Sequence, residues 1–568
     1  MRKTLVMRLW IMTGTFVFIT VLLIVRLYSL QIVHGDTYKL EASHQYVNTK
    51  VGIFDRGNIF MVHRDGSKIA SATVRTRFIL AIDPRHIDDK RGVYIAINDI
   101  IPIDKEDYNK KVAKTDDPYE VLVKDIDEEL AKRVRQLNLS GVILTQERKR
   151  YYPGAAMSSH ILGFVGFDEN NNRVGRYGLE RYYEDVLMRD SSNLYVNFFA
   201  ELFTNINEVT KGGSKEGDIE LTIDPDIQVF IEKEMLKTQE AWSSKMTAAI
   251  VMDPQTGEIL AMVVTPKFNL NNFNNISGVS FSNPLISGVY EMGSIIKVLT
   301  MAVGLDTGVI RKSTTYNDTG SLTLNGATIH NYDGKSRGVV PMQEVLSQSL
   351  NTGVAFIANK VGHEKMREYF IDKLSLGEET GIDLPAEAVG MVKNLESERE
   401  IEFATASFGQ GVALTPIATL RALAAVANGG YMVQPHMVKR IEYSMGLDKV
   451  FDYSDQKERV FKQETTDAIA QMLTKVVDEV LANGKHKMEH YSVGVKTGTA
   501  QLATTGGYRD DAYLHTFIGY GPSYDSEFIV LLMNLEPVGA RYASETLTEP
   551  FVNISKFLIN HLDIAPDR

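Results

Sequence analysis

The sequence predicts an α+β protein in three parts: an N-terminal apolar helix, an elongated, mostly-β first domain, and a larger second domain with a central antiparallel sheet flanked by helices. Three observations carry this. Residues 9–33 are almost continuously apolar behind Arg2, Lys3 and Arg8. A polar, glycine-rich stretch, Thr210 to Gly217, divides the rest of the chain. Beyond it, strand-length apolar runs stand at both ends of the remaining residues, with helical pattern between them, which suits one sheet built from both ends of a domain. The expected limits are a cytoplasmic tail at 1–8, a membrane span at 9–33, a first domain at 34–215 and a second at 216–568.

A spanning helix needs about 20 apolar residues, and Arg26 near its end can reach the interface. The basic flank stays inside, so the bulk of the chain is expected outside the cytoplasm. A cleaved signal peptide fits less well, because Arg26-Leu-Tyr-Ser-Leu-Gln31 offers no small-x-small cleavage site.

In the first domain, short apolar runs around His63-Arg-Asp-Gly66 read as a hairpin, and Val74 to Ile82 reads as a strand. Residues 83–140 are charged and helical in pattern, for example Asp125 to Leu137. In the second domain, Ala248 to Met252 and Ile259 to Val264 flank a turn at Asp253-Pro-Gln-Thr-Gly-Glu258. Helical segments are expected over 295–430, and further strands at Tyr491–Val495, Thr516–Tyr520 and Phe528–Met533.

The composition excludes several classes. Net charge is −11 with no basic arm, a poor match for nucleic acid. The absence of cysteine removes disulfides, thiolate metal sites and cysteine nucleophiles. Asp168-Glu-Asn-Asn-Asn172 hints at a calcium loop, but Arg173 and Leu179 stand where glycine and glutamate are required. His486 and His490 lack an H-E-x-x-H context, and Arg367 follows His363-Glu364 where a second histidine would be needed. No metal site and no cofactor site is read from the sequence.

Three motifs stand in order in the second domain: Ser294-Ile-Ile-Lys297, Ser349-Leu-Asn351 and Lys496-Thr-Gly-Thr499. Ser294 opens an apolar helix, where a serine alone is more often a cap. Lys297 lies one turn on, on the same face, where a lysine is electrostatically misplaced. Desolvation and a neighbouring cation, Lys496, would neutralise it and let it act as a base toward Ser294. Ser349 and Asn351 suit a proton relay and a positioning amide. Gly498 implies close backbone approach, Lys496, Thr497 and Thr499 suit a carboxylate, and the N–H groups of Ser294 and Thr499 suit an oxyanion hole. Two look-alikes, Ser454-Asp-Gln-Lys457 and Ser191-Ser-Asn193, lack this context: one lies in a charged run, the other upstream of any nucleophile helix.

With these motifs the chain resembles the class B penicillin-binding proteins, membrane-anchored peptidoglycan D,D-transpeptidases, most closely their division-type subgroup. Further matches are Arg26-Leu-x-x-Leu-Gln-Ile32, Arg56-Gly-x-Ile59, Tyr152-Pro153, Gly175-x-x-Gly-Leu-Glu180, Leu221-Thr-Ile-Asp224, Gln228, Ser407-Phe-Gly-Gln-Gly411 and Thr415-Pro416. The resemblance implies that Ser294 is acylated by a stem peptide ending in D-Ala-D-Ala, or by a β-lactam, with Lys297 as base. It implies that Ser349 and Asn351 handle protons and substrate, and that Lys496, Thr497, Gly498 and Thr499 bind the terminal carboxylate. The first domain would be a non-catalytic pedestal that docks a polytopic lipid II polymerase and other division proteins. Two departures stand out: Met292-Gly293 replaces the usual Pro-Gly before the serine, and Met61 and Val62 lengthen the hairpin at His63. An elongation-type transpeptidase, a D,D-carboxypeptidase, a β-lactamase and a non-catalytic scaffold of the division machinery are the alternatives.

Overall fold

The computed structural model describes residues 13–15, 17–23, 26, 54–189, 215–273, 280–454, 457–504 and 507–568. Residues 1–53 with 191–194 form one unit, and 54–190 with 195–568 the other. In the first unit the described residues are helical and exposed. Among the described residues no helix is long and apolar enough to cross a membrane. Most of the expected span at 9–33 and of the linker at 210–217 lies outside them.

The second unit begins with the expected hairpin, β1 (Ile59–Val62) and β2 (Lys68–Ile82), turning at Gly66 with φ +84°. The fifteen-residue β2 serves three partners along its length. Its first half pairs with β1, and its second half with β3 (Glu120–Ile126) and β4 (Val142–Tyr151). Three helices accompany it: α1 (Lys90–Asn98), α2 (Lys105–Val112) and α3 (Glu128–Gln136). Each is capped by an aspartate, Asp89, Asp104 and Asp127, whose side chain accepts a first-turn N–H. Their apolar faces, including Val93, Ile97, Tyr108, Val112, Ala131 and Val134, cover Phe78, Leu80 and Ile82 of β2. The pedestal is thus more helical than the mostly-β expectation: the charged stretch at 83–140, helical in pattern, supplies three short amphipathic helices.

Pedestal residues that carried the family resemblance converge on Glu180. Its carboxylate is fully buried and takes Arg56 Nε at 2.5 Å, Arg150 Nε at 2.6 Å and Tyr152 OH at 3.1 Å. A buried charge is tolerable only with such pairing.

Strand β5 (Gly217–Leu221) joins the domains. It runs parallel to β1 and antiparallel to β8 (Val438–Tyr443), so one sheet crosses the expected boundary. Asp224 then caps α4 (Pro225–Trp242). The central sheet comes next: β6 (Met246–Met252) and β7 (Ile259–Thr265) pair beside β11 (Phe528–Leu535), β10 (Gly507–Gly521) and β9 (Gly494–Thr504) in the order β9-β10-β11-β6-β7, every pair antiparallel.

This sheet is buried on both faces, which explains its unbroken apolar runs. Ala249, Val251, Val530 and Leu532 face α4 and the C-terminal α9 (Ala543–His561). Ile250, Met252, Leu531 and Met533 face the opposite core, shared with α5 (Lys297–Asp306), α6 (Asn351–Val361), α7 (Pro416–Ala427) and α8 (Gln463–Lys475). The expected all-helical span 295–430 also holds two small antiparallel pairs, Thr315–Asp318 with Gly338–Pro341 and Ser321–Leu324 with Ala327–His330. These four-residue strands are too short for periodicity to separate them from helix.

Candidate active site

All eight singled-out residues meet where β9, the start of α5 and the start of α6 come together. Gly293–Ile296 forms a 3₁₀ turn that runs directly into α5, placing Ser294 in the turn and Lys297 at the first α-helical position. Gly293 adopts φ +62°, which suits glycine, and its N–H bonds Gly409 O at 3.2 Å. Gly498 lets β9 pass against this turn: a Cβ there would lie 2.3 Å from Thr516 Oγ1 and 2.8 Å from Met292 O. Thr516 Oγ1 itself donates to Met292 O at 2.9 Å, tying β10 to the same turn.

Lys297 is fully buried. Its Nζ donates to Ser349 O at 2.6 Å and to Asn351 Oδ1 at 2.7 Å, and lies 3.1 Å from Ser349 Oγ. Asn351 Nδ2 donates to His330 O at 2.8 Å, which fixes the amide with its oxygen toward the lysine. The Ser349 carbonyl reaches Lys297 because Ser349 has φ +53°, a left-handed conformation that costs a serine about 1 kcal/mol or more. Among the described residues the hydrogen bonds of Lys297 Nζ do not include Ser294 Oγ. Such contacts commonly tighten only when substrate is present.

Burial holds Lys297 well below the ordinary lysine value, and the nearby Lys496 charge lowers it further. Burial alone brings Lys496 down to about 7. Lys496 Nζ lies 3.0 Å from Ser349 Oγ and donates to Thr497 O at 2.9 Å. Thr499 Oγ1 accepts the N–H of Ala543 at 3.0 Å, so its own proton is left to donate toward the cleft.

Ser294, Ser349, Asn351, Lys496, Thr497 and Thr499 line one cleft. Sequence reasoning missed part of its wall. Tyr332 and Tyr542 meet edge-on with centroids 5.9 Å apart, and the Arg541 guanidinium lies 5.5 Å from the Tyr542 ring centre. No motif marks these side chains, which stand on separate loops. Asp318, buried and bonded to Thr352 beside Asn351, was also missed. It accepts from Gly320 N, Asn331 Nδ2, Arg337 N and Thr352 Oγ1 at 2.7–3.1 Å. Of the look-alikes, Ser454 is exposed and does not line the cleft, and Ser191–Asn193 falls outside the described residues.

The sequence matches two family models, the penicillin binding protein transpeptidase domain over residues 247–555 and the penicillin-binding protein dimerisation domain over 55–196. The chain belongs to the penicillin-binding transpeptidase family. The stage V sporulation protein D of Bacillus subtilis is 30% identical over 90% of this chain and 79% of its own. The peptidoglycan D,D-transpeptidase FtsI of Escherichia coli is 24% identical over 95% of this chain and 89% of its own. Among solved structures, penicillin binding protein 2X of Streptococcus thermophilus superposes with a TM-score of 0.73 at 20% identity, over 90% of this chain and 81% of that one. That likeness establishes the class B fold, a dimerisation domain followed by an α+β transpeptidase domain.

Proposed function

We propose that this chain is a serine-type peptidoglycan D,D-transpeptidase that cross-links stem peptides during septal wall synthesis and is a target of β-lactams. The supporting observation is the setting of Lys297. Two of its neighbours, Ser349 O and Asn351 Oδ1, can only accept hydrogen bonds. A neutral amine has two N–H bonds for them and keeps a lone pair for a hydroxyl proton. Burial and the second lysine favour that neutral form.

In this reading Lys297 Nζ removes the Ser294 proton as Oγ attacks the carbonyl of the penultimate D-Ala. The carbonyl π pair moves onto oxygen, held by the N–H groups of Ser294 and Thr499. Collapse breaks the C–N bond, and the proton passes from Lys297 through Ser349 Oγ to the departing D-Ala amine. Lys496, Thr497 and Thr499 hold the terminal carboxylate, while Gly498 keeps β9 close to the serine. An amine of a neighbouring stem then attacks the acyl-enzyme carbonyl; the new C–N bond forms, the ester C–Oγ bond to Ser294 breaks, and the amine's proton passes to Ser294 Oγ.

The remaining parts of the proposal rest on family membership and the N-terminal sequence. They are a single-pass anchor at 9–33 with the N-terminus cytoplasmic, a pedestal at 34–215, a catalytic domain at 216–568 outside the membrane, and docking to a polytopic lipid II polymerase and other division proteins. The names of relatives such as FtsI support the division assignment.

The test uses purified full-length protein with a stem pentapeptide ending in D-Ala-D-Ala and a stem-peptide amine acceptor. Cross-linked dimer and free D-Ala should both form, and Ser294→Ala should yield neither. Release of D-Ala without dimer would make the protein a carboxypeptidase.

A further inference from the structure

We propose that His63, Asp224, Asp226 and His561 form a Zn²⁺ site that clamps the pedestal hairpin to the catalytic domain. The four side chains come from three elements: the turn between β1 and β2, the N-terminus of α4, and the C-terminal end of α9. His63 Nδ1 lies 2.9 Å from Asp226 Oδ2, and His561 Nε2 lies 2.9 Å from Asp224 Oδ2. One donor atom each from Asp224, Asp226 and His561 falls within 4.8 Å of the others.

Two imidazoles and two carboxylates are a donor set that suits zinc, whereas calcium and magnesium take oxygen ligands. Ligands about 2.0–2.1 Å from a tetrahedral Zn²⁺ stand roughly 3.3 Å apart. Each imidazole–carboxylate pair therefore needs to open by a few tenths of an ångström, and the two pairs, whose donors on Asp224, Asp226 and His561 stand within 4.8 Å of one another, need to close on the ion. Two carboxylates cancel the ion's charge.

The donors are held in place. Asp224 Oδ1 is committed to the N–H groups of Asp226 and Ile227 at 2.8 and 3.1 Å, which leaves Oδ2 for another partner. The His561 ring stacks on Phe557 with an interplanar angle of 12°, and Phe557 stacks on Phe230 of α4 at 4.0 Å. Arg64, the residue after His63, is engaged with Asp563 Oδ2 at 2.7 Å and His561 O at 2.5 Å. Asp65, the other charged group of the turn, is bound to Ser67.

No sequence motif reveals this set, because His63 and His561 lie at opposite ends of the described chain. A metal there would cross-link the lengthened hairpin to α4 and α9, on the side of the central sheet opposite α5 and Ser294. The clamp is independent of the acyl-transfer assignment.

The test uses tag-free full-length protein, stripped with a chelator and titrated with Zn²⁺ alone against a chromophoric competitor at neutral pH. One equivalent should bind saturably and raise the thermal unfolding midpoint. Co²⁺ in its place should give the intense visible bands of a tetrahedral site. His63→Ala and His561→Ala should each weaken binding at least ~10-fold, while His486→Ala, outside the cluster, should bind as wild type. Circular dichroism of the metal-free variants checks that they are folded. The absence of saturable Zn²⁺ binding overturns the proposal. So does affinity unchanged in folded His63→Ala and His561→Ala, or a pale octahedral Co²⁺ spectrum.

Discussion

Lys297 and Lys496 converge on a single atom: their Nζ atoms lie 3.1 and 3.0 Å from Ser349 Oγ. Two buried ammonium groups so close would repel, so at least one is neutral near neutrality. Lys297 is the one pushed down by both burial and the other's charge. The hydroxyl between them can accept from one lysine and donate to the other, which makes it a proton path.

The pH dependence of acylation reflects opposite requirements. Lys297 acts neutral, so acylation rises with pH as it loses its proton. Lys496 acts charged, so capture of a carboxylate falls as pH rises through about 7 in the free enzyme. The second-order rate constant for acylation by benzylpenicillin should therefore trace a bell with its alkaline limb near that value. Lys496→Arg, whose guanidinium stays charged, should lose the alkaline limb while reacting more slowly overall. Stopped-flow or quenched acylation across the pH range checks this, and an unchanged limb in Lys496→Arg would reject the role of Lys496.

Gly498→Ala should damage the site more than the fold. The added methyl meets Thr516 Oγ1 and Met292 O at 2.3 and 2.8 Å, so β9 must retreat from the Ser294 turn. Overpacking of this kind costs roughly 1–3 kcal/mol, and a displacement near 1 Å costs on the order of 100-fold in rate. Urea unfolding and acylation kinetics on the same preparation separate the two effects.

Asp318→Asn replaces a carboxylate that accepts five hydrogen bonds with an amide that offers two donors to the same neighbours. Stability should fall by about 2–4 kcal/mol. Because Asn331 Nδ2 and Thr352 Oγ1 hold the segment around His330 O and Asn351, the acylation rate should fall as well. Denaturant titration and acylation rates measure both, and wild-type rates in a destabilised variant would confine Asp318 to folding.

The sequence exposed those parts of the site that sit on regular elements. Ser294 and Lys297 were legible because helical spacing sets them on one face, and Gly498 because a glycine in a strand signals close approach. The other strands of the central sheet were legible as apolar runs, but β9 was misplaced: Tyr491–Val493 precede it, and it runs from Gly494 to Thr504 through polar residues that mask its course. What stayed hidden depends on tertiary encounters. The left-handed backbone of Ser349, the His330 carbonyl that orients Asn351, and the Asp318 network have no local spacing. Nor does the strand β5 that stitches pedestal to catalytic domain, whose pairing is fixed by partners about 160 and 220 residues away.

The central claim is that Ser294 carries the acyl group, activated by a neutral Lys297. Its most direct test is peptide mapping by mass spectrometry after reaction with benzylpenicillin. One penicilloyl adduct per chain is expected, on the peptide that contains Ser294, absent from Ser294→Ala and formed far more slowly in Lys297→Met. An adduct on any other residue, or one that persists in Ser294→Ala, would contradict it.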